Sequence, residues 1–339
     1  MSTTTITSRE IRLASRPFGE PDEGTFALVE TQVPEPGAGQ ILVRNTWMSV
    51  DPYMRTRMNA GESYIPPFEV GAPLEGSAIG EVVASEADTI PVGAAVSHFA
   101  GWREYAVLDA AHVEVIDVEN VRPQDYLGAL GTTGLTAYLA VTEIAPVREG
   151  DVVFVSAAAG AVGSVAGQLA RKFNAARVIG SAGGPEKTRK LTETFGFDAA
   201  IDYRAGSVAE QLAELAPEGI DVYIDNVGGD HLEAAIESLN DHGKVAMVGM
   251  ISTYNATEPS PAPRNLPTAQ TKRLTLRGLV ISDHFDRFPE YIETAAPLLA
   301  DGSLVTEETI VDGLENAPSA LLGLLRGANT GKMLIRLTA

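Results

Sequence analysis

The stretch 151–163 constrains the fold of this chain more than any other part of the sequence. Four apolar residues, Val152 to Val155, three of them β-branched, predict a short buried strand. A turn of small residues follows, and then the start of a helix. This order of strand, turn and helix forms a phosphate cradle, because the backbone can approach a pyrophosphate and the free N–H groups of the first helical turn offset its charge. Ala158 stands where the first glycine of a GxGxxG fingerprint is usual, whereas Gly160 and Gly163 fill the other two places.

A degenerate glycine pattern alone is weak evidence, so its surroundings decide. Strand and helix patterns alternate from this point on, as a parallel sheet requires. The predicted helices between the strands cover 161–173, 185–195, 207–215 and 229–239. The predicted strands are 152–155, 177–180, 199–203, 220–225, 243–249 and 274–281. Six strands are the number expected of two mononucleotide-binding halves, so we predict a doubly wound six-stranded parallel Rossmann domain.

The first third of the chain has a different sequence pattern. Residues 8 to about 120 contain short strand-like runs separated by turn signals, which predicts an antiparallel, barrel-like β domain. The segment 51–73 reads as an irregular loop rich in Tyr, Met and Pro, and such loops are often functional. Near the end of the chain, 303–310 and 332–337 look β-like again, and we expect them to rejoin the first domain. The predicted domains are 1–125 with 301–339, and 126–300.

Two further segments give local predictions. Residues 126–144 read as a helix that the two glycines of 131–134 break. The segment 254–270 contains four prolines and predicts a stiffened surface loop, with a lid over a cleft as one use.

Composition limits the classes of function. The formal charge is −20, which disfavours nucleic acid and anionic membranes as partners. There is no cysteine, which excludes disulfides, a Cys nucleophile and thiolate metal sites, and the five histidines show no metal-ligand spacing. We therefore predict no metal. The N-terminal residues do not read as a secretory signal, and no apolar run reaches the ~18 residues needed to span a bilayer. Cytoplasm is the expected location.

The end of the second predicted strand indicates which dinucleotide binds. A carboxylate there selects NAD by accepting hydrogen bonds from the ribose 2′-OH, whereas a small or basic environment accepts a 2′-phosphate. Residues 179–184 carry no acid, and Lys187, Arg189 and Lys190 follow closely. We therefore predict NADPH, with Lys187 as the phosphate partner. The alternative is a solvated helix face, which is what charge clusters usually are.

Several motifs resemble those of the zinc-independent medium-chain dehydrogenases/reductases. The nearest branch is the prostaglandin reductase/leukotriene B4 12-hydroxydehydrogenase group, with curcumin reductases and plant alkenal double-bond reductases. The resemblance covers nearly the whole chain and rests on residues 50–55, 134–138, 158–164, 225–229, 249–255 and 327–332. It implies a GroES-like β domain paired with a Rossmann domain, an active site in the cleft between them, and NADPH-dependent reduction of the C=C bond of α,β-unsaturated aldehydes or ketones. The zinc-dependent branch needs a Cys ligand and a Gly-His-Glu sequence, and this chain has neither.

By motif match, the resemblance also implies particular cofactor contacts. The pyrophosphate would lie against Gly160, Ala161, Val162, Gly163 and Ser164. The adenosine 2′-phosphate would be held by Lys187 and Tyr203, with Asn226 nearby. The nicotinamide would be lined by Ser252, Tyr254, Leu279, Val280, Ile281 and Asn329. Asn226 could equally cap the next helix, and Asn329 could be a plain turn residue.

Reduction of a C=C bond without a metal needs a hydride donor over the β-carbon, a group that stabilises the enolate oxygen, and a proton for the α-carbon. A phenol can donate a hydrogen bond to that oxygen. The catalytic candidates are Tyr254, which follows the fifth Rossmann strand, and Tyr53 and Tyr64 in the irregular loop of the first domain. The alternative for each is a half-buried packing residue whose hydroxyl finds any partner.

Two other functions fit the same sequence. One is an NADPH:quinone reductase of the same superfamily, which would differ in the substrate loops. The other is a non-catalytic protein that binds NADPH as a scaffold. A homodimer is plausible, because the last Rossmann strand would be a sheet edge open to pairing.

Overall fold

The structure is a computed structural model, and it describes residues 6–337. The chain divides into two compact units. The first contains Met1–Leu127 and Glu308–Ala339, and the second contains Gly128–Glu307. The sequence predicted the domain boundaries after residues 125 and 300.

The strands of the described residues are β1 (Ile6–Leu13), β2 (Phe26–Val33), β3 (Gln40–Ser49), β4 (Ala78–Ser85), β5 (Ala95–His98), β6 (Tyr105–Asp109), β7 (Glu114–Val115), β8 (Val152–Val155), β9 (Arg177–Ala182), β10 (Ala199–Asp202), β11 (Ile220–Asp225), β12 (Leu239–Met247), β13 (Thr275–Gly278), β14 (Glu308–Asp312) and β15 (Lys332–Arg336). The α-helices of the same residues are α1 (Tyr53–Arg57), α2 (Pro123–Leu127), α3 (Thr132–Leu139), α4 (Ala161–Lys172), α5 (Pro185–Glu193), α6 (Val208–Leu215), α7 (Gly229–Ser238), α8 (Leu266–Thr271), α9 (Phe288–Ala300) and α10 (Ala317–Leu325). Short 3₁₀ turns cover Glu23–Thr25, Ala110–His112, Ile251–Thr253, Ile281–Arg287 and Leu314–Asn316, and a π-helical turn covers Ala140–Ile144. Within residues 6–337, none of the helices has both the length and the apolar character that a membrane crossing requires.

The second unit, every residue of which is described, is built on a six-stranded parallel sheet with the order β10-β9-β8-β11-β12-β13. This is the strand order of a doubly wound dinucleotide-binding fold, so the predicted Rossmann domain is confirmed. Strand β8 lies near the middle and is buried along most of its length, which is why its sequence is a continuous apolar run. Phe154 stacks on Tyr223 of β11 with ring centroids 5.0 Å apart.

The first unit contains a seven-stranded sheet and a two-stranded antiparallel sheet within the described residues. Most of its pairs are antiparallel, as in β3 with β4 and β3 with β6. The carboxyl-terminal strands join this unit: β15 pairs antiparallel with β3, through Leu334 opposite Ser49, and β14 pairs parallel with β15. The packed core of this unit includes Met48, Trp102, Leu321 and Ile335.

The predicted break in the helix 126–144 is present, because α2 ends at Leu127 and α3 begins at Thr132 with Gly131 as its N-cap, but Gly134 takes no part in it. Helix α3 begins at Thr132 and runs through Gly134. Gly134 is required by packing, because a β-carbon there would collide with the carbonyl oxygen of Ala129 and the hydroxyl of Tyr291. The glycine therefore allows a close approach between elements and does not end one.

Three helices lie where the sequence predicted loop or nothing regular. Helix α1 begins at Tyr53, inside the predicted irregular loop. Helix α8 ends the proline-rich segment, with a proline in its first turn, where the missing N–H costs nothing. Helix α10 buries Ala320, Leu321 and Leu324, and its small and apolar residues show no periodicity that separates a helix from a strand. Strand β13 is also shorter than the predicted strand 274–281: it ends at Gly278, and a 3₁₀ turn begins at Ile281.

Candidate cofactor and active site

The turn between β8 and α4 brings the backbone of both elements together. A β-carbon on Gly163 would lie 2.5 Å from the Ala157 carbonyl oxygen and 2.7 Å from the Ala158 Cα, so only glycine allows this approach. Ala157 carries the left-handed backbone of the turn, with φ of 47°. Ala158 has no positive φ and therefore does not need to be glycine.

Gly180 of β9 makes room for the methyl group of Ala158. A β-carbon at Gly180 would lie 2.7 Å from the Ala158 β-carbon. Ala158 itself is fully buried, and its N–H donates to the Ser181 carbonyl at 2.8 Å. The alanine in place of the first fingerprint glycine is therefore matched by a glycine on the neighbouring strand.

The first turn of α4 presents its backbone N–H groups at this turn. The helix begins at Ala161 with Gly160 as its N-cap, so the N–H groups of Ala161, Val162 and Gly163 have no acceptor four residues earlier within the helix. Ser164 is buried, and its N–H already donates to the Gly160 carbonyl at 3.0 Å. Ala161–Gly163 thus present N–H groups of the kind that bind anions at a helix N-terminus, and Ser164 has only its hydroxyl left to donate.

A second cluster lies at the carboxyl ends of β9 and β10. A β-carbon on Gly183 would lie 2.6 Å from the Tyr203 hydroxyl and 2.8 Å from Nε of Arg204. Lys187, half-buried on α5, is close enough to Arg204 for the two charges to interact. Burial lowers the pKa of Lys187, and the positive charge of Arg204 lowers it further. No side chain could replace Gly183 without displacing Tyr203 or Arg204.

The other two cations of the predicted cluster face elsewhere. Arg189 lies 3.7 Å from Glu193 one turn along the same helix, and both are exposed. Lys190 donates to Glu307 at 2.6 Å. Lys187, on the same helix, instead interacts with the charge of Arg204, which lies beside Gly183.

Buried polar side chains hold the turn after β11. Oδ1 of Asp225 accepts hydrogen bonds from the Tyr223 hydroxyl at 2.7 Å and from the N–H groups of Val227 and Gly228 at 3.0 and 2.8 Å. Among the described residues Oδ2 of Asp225 has no hydrogen-bond partner. Burial raises the pKa of Asp225, and the N–H of Gly228 and the Tyr223 hydroxyl oppose that rise.

Asn226 is tied to the phosphate turn by Ser156. The amide Nδ2 of Asn226 donates to the Ser156 carbonyl at 2.8 Å, and its backbone N–H donates to the Ser156 hydroxyl at 2.9 Å. Asn226 thus joins the end of β11 to the turn after β8. Its side chain does not form the N-cap of α7, whose N-cap is Gly228; the capping alternative is wrong.

The loop that carries Tyr254 is anchored to the same turn. The N–H groups of Val248 and Gly249 donate to the Asp225 carbonyl at 2.8 and 3.0 Å. The Ser252 hydroxyl donates to the Val227 carbonyl at 2.6 Å. The Tyr254 hydroxyl turns back toward this loop and accepts from the Met250 N–H at 3.4 Å. Burial raises the pKa of Tyr254, the Met250 N–H opposes the rise, and the charge of Asp225 adds to it. Tyr254 is therefore a neutral phenol at physiological pH.

The predicted nicotinamide wall follows β13. The N–H of Leu279 donates to the Met247 carbonyl at 3.0 Å, and Leu279 is buried. Val280 and Ile281 are half-buried, and Ile281 begins the 3₁₀ turn. These three residues, the Tyr254 loop and the phosphate turn all lie at the carboxyl edge of the sheet, where ligands bind in doubly wound folds.

The remaining predicted residues lie in the first unit. Tyr53 begins α1, and its buried hydroxyl has no hydrogen-bond partner among the described residues. Burial, and then the negative charge of Asp51, raise the pKa of Tyr53 well above its usual range. Tyr64 is 57% exposed. Asn329 is buried, and its amide donates to the Gly331 carbonyl at 2.8 Å.

A buried ion pair joins two of the sequence motifs in this unit. Nζ of Lys332, in the motif 327–332, lies 2.7 Å from Oδ1 of Asp51, in the motif 50–55. Lys332 also donates to the Val50 carbonyl at 3.2 Å, and the Ser49 hydroxyl bonds Asp51. The pair therefore fixes the segment before Tyr53 against the segment after Asn329.

Sequence reasoning did not single out Arg204, Asp225, Ser156 or the Lys332–Asp51 pair. Arg204 follows Tyr203 directly, so a basic residue after the third Rossmann strand was the available signal. The partners of Ser156, Asp51 and Lys332 lie far along the chain, and nothing in the local sequence indicates them. Those of Asp225 are only two or three residues away, but they become visible only once the turn after β11 is built.

Comparison with known proteins agrees with this arrangement. Residues 9–116 match the family described as the N-terminal domain of oxidoreductase, and residues 161–297 match the family described as zinc-binding dehydrogenase. The NADPH-dependent curcumin reductase of Escherichia coli is 40% identical over 329 residues, which are 96% of this chain and 95% of that protein. The 2-alkenal reductase (NADP(+)-dependent) of Nicotiana tabacum is 36% identical over 337 residues, 97% of each protein. CurA from Vibrio vulnificus, solved in complex with NADPH, is 38% identical with a TM-score of 0.93, over 98% of this chain and 99% of that one.

The zinc of the second description has no ligand set here. The chain has no cysteine, and within residues 6–337 there is no group of three or more His, Asp or Glu side chains that could hold a metal ion. Identity of this level over nearly the whole chain shows the family. The chain belongs to the zinc-independent medium-chain dehydrogenases/reductases, in the branch of the curcumin and alkenal double-bond reductases.

Proposed function

We propose that this protein reduces the C=C bond of α,β-unsaturated aldehydes and ketones with NADPH. The observation that carries the proposal is the convergence of the Ala157–Gly163 turn, the Lys187–Tyr203 cluster and the Tyr254 loop at one edge of the sheet. The relatives named as curcumin and 2-alkenal reductases support the same reaction class.

The residues of the second unit fit a phosphorylated dinucleotide. The close approach at Gly163 and the N–H groups of Ala161–Gly163 suit a pyrophosphate. Strand β9 itself ends without an acidic residue, and Tyr203 with the cation Lys187 suits a 2′-phosphate there. The carboxylate of Asp202, on β10, accepts from the Gly184 N–H. When bound, NADPH supplies the hydride that reaches the substrate β-carbon.

The protein's own groups would handle the charge that develops on the substrate. Hydride addition places negative charge on the carbonyl oxygen, and a proton then adds to the α-carbon. Because its pKa is raised, Tyr254 keeps its hydroxyl proton and can donate a hydrogen bond at the nicotinamide end. We assign Tyr53 a substrate contact, because its buried hydroxyl is a donor with no partner among the described residues. Tyr64, exposed as it is, is assigned to the substrate entrance. We place Ser252, Leu279, Val280, Ile281 and Asn329 at the nicotinamide and Asn226 beside the cofactor.

The function is tested by following NADPH oxidation at 340 nm with an alkenal, benzalacetone, a curcuminoid and a panel of quinones. We expect turnover of enones, with loss of the C=C bond in the product. Turnover of quinones alone would favour the quinone reductase, and tight NADPH binding without any turnover would favour the non-catalytic protein.

A Tyr254→Phe variant tests the catalytic assignment. Loss of one hydrogen bond to developing charge should lower kcat about tenfold or more. Ser303→Ala, a hydroxyl deletion at an exposed site near the end of α9, is the matched control and should leave kcat unchanged. Unchanged kcat and KM in Tyr254→Phe would remove the role of that hydroxyl.

The homodimer is also part of the proposal. Strand β13 is the edge strand of the six-stranded sheet, and Thr275, Arg277 and Gly278 on it are exposed. An edge of this kind can pair with a second copy. Light scattering should give twice the 35.7 kDa of one chain, and a mass of one chain at micromolar concentration would contradict the dimer.

A further inference from the structure

We propose that Arg204 acts with Lys187 as a second cation for the 2′-phosphate and so contributes to the choice of NADPH over NADH. This inference rests on the proposed use of NADPH. It adds a residue that neither the fingerprint nor the motif match contains.

Geometry places Arg204 in the same cluster as the predicted phosphate partners. Nε of Arg204 and the hydroxyl of Tyr203 both lie within 3 Å of the point where a β-carbon on Gly183 would be, at 2.8 and 2.6 Å. The absence of a side chain at Gly183 therefore leaves the two polar atoms facing the tip of β9. In a doubly wound fold the adenosine ribose lies at this tip.

Charge supports an anionic ligand at this place. The chain has a formal charge of −20, yet two cations, Lys187 and Arg204, lie within electrostatic range of each other. Their repulsion is one cause of the lowered pKa of Lys187. A phosphate dianion between them would convert that repulsion into two favourable contacts.

The carboxylate of Asp202, at the end of β10, is hydrogen-bonded to the backbone on both sides of the cluster. Oδ1 of Asp202 accepts from the N–H of Gly184 at 2.8 Å and from the N–H of Arg204 at 2.9 Å. Asp202 thus fixes the Arg204 segment against the β9 loop. Because one carboxylate oxygen of Asp202 binds both segments, it fixes the backbone of Arg204 relative to the loop that contains Gly183.

The Tyr203 ring is packed in a way that keeps this arrangement. His231 of α7 contacts it edge-on, with ring centroids 5.6 Å apart and the rings at 72°. The guanidinium carbon of Arg204 lies 5.8 Å from the same ring centroid. His231 is buried, so it gives the ring a fixed support.

Binding measured without turnover tests the inference. Calorimetry on the purified full chain would compare NADPH with NADH, and adenosine 2′,5′-bisphosphate with 5′-AMP, for wild type, Arg204→Gln and Lys187→Gln. We expect Arg204→Gln to weaken NADPH and the bisphosphate about tenfold, and to leave NADH and 5′-AMP within about twofold. Arg204→Lys should retain part of the preference, because it keeps the charge and loses the planar fork.

Arg189→Gln is the matched control, because it removes the same charge from the neighbouring helix at a residue paired with Glu193. It should leave every affinity unchanged. Equal weakening of NADPH and NADH in Arg204→Gln, or an effect no larger than that of Arg189→Gln, would overturn the inference. A wild-type chain that does not prefer the bisphosphate over 5′-AMP would overturn the NADPH assignment itself. Absence of enone turnover with an intact Arg204 effect would contradict only the proposed reaction.

Discussion

Replacing Lys332 by methionine should strongly destabilise the first unit. Lys332 and Asp51 are both buried, their charged atoms are 2.7 Å apart, and Lys332 also donates to the Val50 carbonyl. Removal of one partner from a buried ion pair leaves the other charge uncompensated, which costs about 3–5 kcal/mol. Methionine fills a similar volume, so the loss reports the charge and not a cavity.

Tryptophan fluorescence during urea unfolding measures this loss where it occurs. The two tryptophans of the chain, Trp47 and Trp102, both belong to the first unit. We expect the fluorescence midpoint of Lys332→Met to fall by about 1–2 M urea, given a usual urea m value for a unit of this size. Circular dichroism would follow the helices of the second unit in the same samples.

The double variant Asp51→Asn/Lys332→Met separates the buried charge from the lost contact. It should recover most of the stability, because no charge is left buried. Arg336→Met is the matched control: Arg336 pairs with Asp312 at 2.6 Å in the same sheet, but both are exposed, so little should change. A loss of stability in Lys332→Met no larger than that in Arg336→Met, or a double variant as unstable as the single one, would contradict a costly unpaired charge at Asp51.

Three further predictions concern other buried groups. Gly163→Ala should weaken NADPH binding by at least tenfold and lower the Tm, because its β-carbon would lie 2.5 Å from a carbonyl oxygen; Gly206→Ala, whose β-carbon would meet only Nε2 of Gln211 at an ordinary 3.8 Å, should do neither. Asp225→Ala should lower kcat by a larger factor than it raises the Kd for NADPH, because the Asp225 carboxylate holds Val227 and Gly228, and the Val227 carbonyl accepts from Ser252 of the Tyr254 loop; Asp225→Asn should recover much of kcat, and equal kcat for the two variants would contradict the positioning role. Burial lowers the pKa of His98 from 6.5 to about 3. As the pH falls, the unfolded state therefore takes up a proton on His98 before the folded state does. The contribution of His98 to the free energy of unfolding is complete above pH 6.5 and should decline as the pH falls toward 3, by up to about 1.4 kcal/mol per pH unit. His98→Asn, which can keep an acceptor for the Ala100 N–H, should show a shallower decline in urea titrations between pH 7 and 4.5.

Much of the second unit could be predicted from the sequence, because its central strands β8, β9 and β11 are largely buried on both faces and its helices separate the strands at regular intervals. Val152–Val155 reads as a strand for that reason, and the turn after it is local in sequence. Gly134 shows where local reading fails. Its neighbours in space, Ala129 and Tyr291, include a residue far along the chain, so the sequence could not reveal that a glycine was needed for packing.

The candidate site likewise contains residues that the sequence could predict and residues that it could not. Lys187 and Tyr203 follow from the position of the second and third Rossmann strands; the structure places the Tyr203 hydroxyl beside Gly183 and Lys187 within electrostatic range of Arg204. Arg189 and Lys190 are next to Lys187 in the sequence, but in the structure Arg189 pairs with Glu193 and Lys190 pairs with Glu307. The contact between Asp51 and Lys332 spans most of the chain, and no periodicity or motif could indicate it.

The pairing of β15 with β3 has a consequence for the order in which the chain folds during synthesis. All residues of the second unit lie between two parts of the first, so the second unit is complete while the first still lacks β14 and β15. Until β15 emerges, one edge of β3 lacks its partner from Trp47 to Ser49, and the buried Asp51 lacks the cation of Lys332. Domains generally fold as units as they are synthesised. The dinucleotide-binding unit is therefore able to fold first, and the unit that begins the chain is the last to close.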